Sequence, residues 1–233
     1  MKSFYLALFI CCSALSIGQT KYTSGTNDVS QFSDNVQNNG VWITNSSKKD
    51  PIKGSVYLYD GWQNISTVYF GDQANTLTKF NYNIKYDRFE ARFSQDSVLV
   101  LNPLKVTKVI VNNREFKRME DPSSPGSMSF FEIVCNSDNV VIIKQHRVSK
   151  KEGSFNPMTQ QQIKPDEYIK SAVYFVSKDK GEKFKKTKLK KSTVLSLVDS
   201  EKREAIANYV KEEKLSYKDE QDLHKILEHS NSI

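Results

Sequence analysis

The three histidines are the first residues to test for chemistry, because hydrolytic triads and most metal sites depend on histidine. They are His146, His224 and His229. His224 and His229 stand five residues apart in a segment with helical periodicity. At about 3.6 residues per turn their side chains lie roughly 140° apart around the helix, so the two cannot share a metal ion.

Cys135 is the next candidate, because a cysteine beside a histidine can form a catalytic dyad. It ends the apolar run 130–135, and His146 lies on the strand predicted to pair with that run. If Cys135 faces Val140 across the turn, His146 faces Ser129. That register separates the cysteine from the histidine by roughly 20 Å and excludes the dyad. Cys135 is therefore predicted to be a small buried hydrophobe, and each histidine a surface or partly packed residue.

Carboxylates are numerous, but they form no recognisable catalytic motif. Asp87 and Glu90, beside Arg88 and Arg92, are expected to form surface ion pairs across a hairpin rather than an acid/base couple. The sequence has no phosphate-binding glycine loop, no GxSxG, no HExxH and no EF-hand loop. No catalytic residue, cofactor or metal site is predicted, and an enzyme without a recognisable motif is kept as an alternative.

The segment from Lys178 to Lys191 carries most of the net charge. The 233 residues have a formal charge of +7, and this segment sets eight lysines against Asp179 and Glu182, a net +6. It could contact lipopolysaccharide or another polyanion. The alternative is a solvated hairpin tip and helix lead-in that charge keeps from aggregating. The candidate polyanion-binding residues are Lys183, Lys185, Lys186, Lys188, Lys190 and Lys191.

Nucleic acid is not an expected partner of this lysine segment. Its one aromatic residue is Phe184. Recognition of nucleic acid would also require stacking aromatics or a reading helix beside the charge, and the sequence indicates neither.

Alternating apolar and polar residues predict antiparallel β-sheet in the middle of the chain. Residues 79–101 are predicted to form three consecutive strands with turns at 85–88 and 94–97. Further hairpins are predicted around 112–113 and 136–139, and residues 168–176 are predicted to form the last long strand.

Three further predictions concern the segments around these strands. Residues 55–59 and 64–70 are expected to pair through a type I′ turn at Asp60-Gly61, followed by a polar loop at 71–78. The polar segment 149–167 is predicted to be a mobile surface loop, because a stretch of that length without apolar periodicity rarely packs.

From Leu189 onward the period changes from two to that of a helix. Three short amphipathic segments follow, and short helices must bury their apolar faces on one another or on the sheet. The predicted fold class is therefore α+β, with an antiparallel β-meander followed by about three short helices. The meander is a sheet, a sandwich or a partly open barrel. Residues 51–187 are the predicted β domain and residues 188–233 the predicted C-terminal helical unit.

The amino terminus resembles a secretory signal peptide. Lys2 precedes an apolar run at 4–17 that ends in small residues, so residues 1–18 are predicted to be removed after Gly18. An uncleaved anchor and a lipoprotein are the alternatives. Residues 19–50 are a predicted flexible polar leader, in which the apolar island 41–43 could add an edge strand.

Export and the loss of two cysteines shape the expected mature protein. Only Cys135 is left after cleavage, so intramolecular disulfides are impossible and packing must supply the stability. No other apolar run approaches membrane length, and no transmembrane span is expected after cleavage. The expected location is the periplasm, the outer membrane surface or the medium.

Scattered short motifs cover most of the predicted mature chain. They are Gly54 with Tyr57, 81–84 with Asp87 and Glu90, 130–132, 189–191, 209–211, 222–223 and the terminal 231–233. Together they resemble an uncharacterised family of secreted proteins common in Bacteroidetes. The resemblance implies an exported or envelope location and carries over no catalytic residue.

The leading functional prediction is an exported, non-enzymatic envelope protein that acts as a protein-interaction or binding module. A sheet edge could take a partner strand, and an aromatic-rich face could pack a protein or a sugar. The expected partner is a protein or another envelope component. The alternatives are a binder of an acidic surface through residues 178–191 and an enzyme without a recognisable motif. The sequence leaves the partner's identity and the oligomeric state open.

Overall fold

The computed structural model describes residues 33–44, 52–137 and 139–233. The predicted signal peptide and most of the predicted leader lie outside the described residues.

Within these ranges the chain alternates short strands with tight turns and ends in helices. The strands are β1 (Gly40–Thr44), β2 (Ser66–Phe70), β3 (Gln73–Leu77), β4 (Phe80–Asn83), β5 (Arg88–Arg92), β6 (Ser97–Leu101), β7 (Lys108–Val111), β8 (Arg114–Glu120), β9 (Met128–Asn136), β10 (Val141–Lys151), β11 (Ser154–Phe155), β12 (Gln162–Lys164), β13 (Glu167–Ser177) and β14 (Lys185–Thr187). The helices are α1 (Asp34–Asn38), α2 (Lys191–Leu197), α3 (Arg203–Glu212) and α4 (Glu220–Ser232), with a 3₁₀ helix, Ser200–Lys202, before α3.

The predicted three-strand meander is confirmed as β4, β5 and β6. With β1 it forms a four-stranded antiparallel sheet in the order β1-β6-β5-β4. The apolar island of the predicted leader is the edge strand β1, with Trp42 opposite Leu99. The sequence did not predict α1, which buries Val36 and is capped by the side chain of Ser33.

The remaining long strands form an eight-stranded antiparallel sheet in the order β14-β13-β10-β9-β8-β7-β2-β3. The predicted hairpin between β7 and β8 is confirmed. Asn112 and Asn113 both have positive φ, 49° and 63°, as a type I′ turn requires. The predicted β9–β10 hairpin is also confirmed, but its register shifts between Ile142 and Ile143.

The two sheets pack face to face through aromatic rings. Phe89 of β5 lies 5.5 Å from Phe116 of β8 and 5.0 Å from Phe130 of β9, measured between ring centroids. Tyr82 of β4 contacts the same two phenylalanines, and all four rings are almost fully buried. Each buried aromatic side chain removes a large apolar surface from water, so this layer dominates the core. The β domain is therefore a sandwich in this region.

The three predicted C-terminal helices are confirmed as α2, α3 and α4. Their apolar faces meet the large sheet around Ile142, and Ile206, Leu223 and Ile226 are fully buried. This cluster holds the helices in place, since helices of this length are marginal in water without tertiary packing. Of the helices that the structure describes, none is long and apolar enough to span a bilayer.

The prediction of a hairpin at Asp60-Gly61 is wrong. The turn with positive φ is at Gly71 (61°), and β2 pairs there with β3, so residues 73–77 are a strand and not a loop. Residues 55–59 form no regular strand. The side-chain amide of Asn81 donates to the carbonyls of Tyr59 and Gly61, both at 2.9 Å. These bonds hold the segment along β4 instead of against β2.

The prediction of a loop at 149–167 is also wrong. β10 and β13 pair as far as Lys151 opposite Glu167, and β11 and β12 form a small hairpin between them. The side chains at this end of β10 and β13 are mostly exposed on both faces. A strand pair of this kind needs no apolar alternation, so the sequence pattern failed to show it.

The turn between β7 and β8 yields a test of the hairpin. Replacing Asn113 with Val should lower the free energy of unfolding by about 1–2 kcal/mol, because a β-branched residue is strained at positive φ. Urea denaturation measures the difference. Asn113→Gly is the control and should cost nothing, since glycine adopts this conformation freely. Equal stability of the Val and Gly variants would contradict the turn geometry.

Candidate functional site

The lysine segment runs along one edge of the eight-stranded sheet. It leaves β13 through a turn, forms the edge strand β14 and enters α2 at Lys191. The turn is built by Asp179, whose carboxylate accepts hydrogen bonds from the Ser177 hydroxyl and from Lys183 N. Gly181 completes the turn with φ of 94°. One of the two acids of the segment is therefore bound within the turn.

All six lysines predicted as polyanion ligands have exposed side chains. They are Lys183, Lys185, Lys186, Lys188, Lys190 and Lys191. Within the described part of the chain, none of them makes an ion pair, whereas lysines elsewhere, such as Lys144 and Lys150, do. The structure thus places Lys185 and Lys186 on the edge strand and the other four lysines in the segments that flank it, all open to an external anion.

The lysines of β14 point to both faces of the sheet. Lys185 is opposite Val176 and Lys186 is opposite Phe175 in the antiparallel register. Directly opposed residues share a face, and consecutive residues face opposite ways. Val176 packs against the helical cluster, while Phe175 packs in a separate cluster with Phe131. The charge therefore surrounds the edge instead of lying on one surface.

A second cluster of charged side chains was missed by the sequence analysis. We call it the charged seam; it consists of Arg114 on β8, Glu132 on β9, Lys144 and His146 on β10, Tyr174 on β13 and Glu220 at the start of α4. Glu132 is its centre. Its carboxylate accepts hydrogen bonds from Arg114 Nε at 2.6 Å and Nη2 at 2.5 Å, and it lies 2.7 Å from His146 Nε2.

The seam also connects the sheet to the helices. Lys144 Nζ lies 2.7 Å from Glu220 Oε1 and 3.5 Å from Glu132 Oε2. The Tyr174 hydroxyl donates to the same Glu220 oxygen at 2.5 Å. Lys144 thus bridges a carboxylate of the sheet and a carboxylate of α4, and the two cations balance the two anions.

Burial and hydrogen bonding act in opposite directions on Glu132. Burial alone would raise its pKa, but the hydrogen bonds from His146 and Arg114 outweigh that effect and lower the pKa to about 2. The same carboxylate raises the pKa of Arg114 despite the burial of the guanidinium. Glu132 is therefore ionised across the physiological pH range and cannot serve as a proton donor there.

At His146 burial is the larger effect, so the ring is neutral at physiological pH. Burial lowers its pKa, and Glu132 offsets this only in part, because Lys144 and Arg114 also disfavour a second positive charge nearby. Its ring packs edge-on to Tyr82 and beside Phe116 at the border of the aromatic core. A neutral ring hydrogen-bonded to a permanently ionised glutamate positions side chains, and this is the role that the geometry supports.

Cys135 and His146 have different partners within the described residues. Cys135 is opposite Ile142 and packs among the helices, while His146 bonds Glu132. The predicted partner Val140 was wrong by two residues, because Asn136, which was predicted to lie in the turn, instead pairs with Val141. Burial raises the pKa of Cys135 to about 11, so the thiol is protonated and a poor nucleophile.

The expected ion pairs of Asp87 and Glu90 are confirmed only for Glu90 with Arg88, and their expected place on the surface is wrong. Glu90 is completely buried, and it accepts hydrogen bonds from the Tyr57 hydroxyl at 2.8 Å and from Arg88 Nε at 2.6 Å. Asp87 accepts hydrogen bonds from the Tyr82 hydroxyl and from Phe130 N of the opposite sheet. Both carboxylates therefore hold structural elements together.

The two C-terminal histidines are separate in the structure. His224 is exposed and lies near Glu228, and the ring of His229 stacks on Tyr209 at 3.9 Å. Within the described ranges, no group of three histidines, cysteines or carboxylates could hold a metal ion.

Comparison with protein-family models, with curated proteins and with solved structures finds no match. The resemblance to secreted Bacteroidetes proteins therefore stays a prediction.

The seam predicts a large penalty for neutralising its central carboxylate. Glu132→Gln should lower the free energy of unfolding by about 3 kcal/mol, because Arg114 then lacks its counter-charge in a largely buried site. Urea denaturation measures the loss. Glu115→Gln on β8 is the matched control; it removes a partly exposed pair with Lys117 and should cost about 0.5 kcal/mol or less. Similar losses in both variants would contradict the structural role of the seam.

The lowered pKa of His146 predicts that the protein loses stability in mild acid. Its folded-state pKa lies below the ordinary 6.5, so the unfolded chain binds more protons between these two values. Stability that is complete above pH 6.5 is lost as the pH falls through that window, by at most about 1.4 kcal/mol per pH unit. Denaturation at about pH 7.5 and about pH 5.5 measures the loss. His146→Gln should flatten the dependence; an unchanged slope would assign it to other groups.

Proposed function

We propose that the protein is an exported, non-enzymatic binding protein, and that its lysine segment binds an acidic component of the cell envelope. The observation that carries the proposal is a run of six exposed lysines, without an ion pair in the described structure, on β14 and on the segments that flank it.

Electrostatics supports this edge as the binding surface. The segment 178–191 holds a net +6 out of the +7 of the whole chain, so the other residues together are almost neutral. A concentrated field of one sign attracts and retains polyanions, and its effect falls with ionic strength as the charges are screened. Asp179 is held by the turn, so Glu182 is the one other acid in the segment.

The charged seam supports a binding role over catalysis. Its carboxylates and cations are paired with one another, and the side chains of Glu132, His146 and Lys144 are mostly covered. A general acid or base must reach a substrate with a proton available near the working pH. The seam instead joins the sheet to α4 through Glu220.

Export is part of the proposal and rests on the amino-terminal sequence. Lys2 and the apolar run 4–17 favour delivery to the periplasm, the outer membrane surface or the medium. An acidic envelope component is the partner that such a location offers to a basic edge.

Retention on immobilised heparin, used as a model polyanion, tests the proposal. The protein should bind at low salt and elute as salt rises. Replacing Lys183, Lys185, Lys186 and Lys188 with Gln should abolish most of the retention.

A variant with the same change in net charge is the control. Lys151, Lys164, Lys211 and Lys218 are also exposed and make no ion pair within the described residues. Replacing these four with Gln should leave most of the retention. Equal loss in the two variants would show that net charge alone, and not the β14 edge, binds the polyanion.

A further inference from the structure

The lysines of the β14 edge are distributed in a way that selects the shape of a partner. Lys185 faces the helical side of the sheet and Lys186 faces the opposite side, and both are exposed. Consider a flat anionic surface, such as a membrane, that lies against one face of the sheet. It would reach one of these ammonium groups and leave the other in water.

An extended chain in the plane of the sheet would meet both lysines. A strand added beside β14 projects consecutive side chains to the two faces, as β14 itself does. Directly opposed side chains on paired strands have Cβ atoms about 4.5–5.5 Å apart, a distance that lets a carboxylate reach a lysine. Acidic residues at consecutive positions of such a strand would therefore pair with lysines on both faces.

The backbone of this edge is suited to strand addition. β14 is the terminal strand of the eight-stranded sheet, and in the described ranges no strand pairs with its outer side. Lys190, the last residue before α2, is also in the extended region, with φ of −156° and ψ of 160°. An extended chain from residue 184 to residue 190 would span roughly 23 Å. That length accommodates a short peptide strand.

We propose that the partner is an acidic polypeptide segment that adds to the β14 edge as a further strand. This inference rests on the proposed function and names the chemistry of the partner. Backbone hydrogen bonds provide the attachment, and carboxylates opposite the lysines select the sequence. Another copy of this chain is a poor partner at the same edge, because its own β14 would bring like charges together.

Binding of a synthetic peptide to the purified protein tests the inference. The probe is a peptide of about seven residues, rich in glutamate and matched to the length of the edge. A second peptide has the same sequence and charge, but alternate backbone nitrogens are methylated so that it cannot donate hydrogen bonds to a sheet. Fluorescence anisotropy measures both affinities, and hydrogen exchange reports the amides of residues 185–187.

Strand addition predicts three results. The methylated peptide should bind about tenfold more weakly or worse, since it loses several backbone hydrogen bonds to the edge. Exchange of the amides at 185–187 should slow with the unmodified peptide. Lys185→Gln and Lys186→Gln should each weaken its binding, because the strand contacts both faces.

The contrary outcomes separate this inference from the proposed function. Equal affinity of the two peptides, with retention on heparin preserved, would overturn strand addition and leave a purely electrostatic polyanion site. Stronger binding to anionic phospholipid vesicles, with dependence on only one of Lys185 and Lys186, would assign the edge to a membrane surface and also overturn it. Failure to bind heparin, vesicles and peptide alike would overturn both proposals and leave the lysines as protection of an open edge.

Discussion

Two layers pack side by side on one face of the eight-stranded sheet, and the rest of the structure depends on the boundary between them. The four-stranded sheet covers the part of this face around Phe116 and Phe130, and the helices cover the part around Ile142. Both layers contact the sheet through apolar side chains, so each excludes water from the part of the sheet on which it packs. Between the two layers lies the charged seam, where the carboxylate of Glu132 is hydrogen-bonded to Arg114 and His146.

The seam explains why charged residues lie in a largely buried place. A charge removed from water is costly unless a partner of opposite sign and further hydrogen bonds satisfy it. Glu132 is satisfied from β8 and β10, and Lys144 extends the network to Glu220 at the start of α4. Because each pair joins different elements, the network favours a single arrangement of strands and helix. The helix α2, which follows the β14 edge, packs through Val194 in the same apolar cluster as α4.

Elements governed by local pattern could be predicted from the sequence. The β7–β8 hairpin follows from two asparagines that tolerate positive φ, and the C-terminal helices follow from their apolar period. The missed features depend on contacts between distant residues. Asn81 is hydrogen-bonded to Tyr59, which lies 22 positions earlier in the sequence. Glu132 and His146 are 14 positions apart, and a register shift lies between them in the hairpin. No local periodicity encodes such contacts.

The six candidate lysines are exposed, and their role as polyanion ligands stays a prediction. The face that Lys185 and Lys186 use could not be assigned without the pairing of β14. The position of β14 at the edge of the sheet also raises the question whether its lysines serve only to protect that edge from aggregation. The opposite edge of the same sheet is β3, Gln73–Leu77, a short strand that carries no charged residue. Short polar strands are a known way of blunting an edge, so this fold protects one edge without lysine. Crowded like charges on the other edge repel one another and destabilise the folded state. Protection alone does not require that cost, whereas the proposed binding of an acidic partner would account for it.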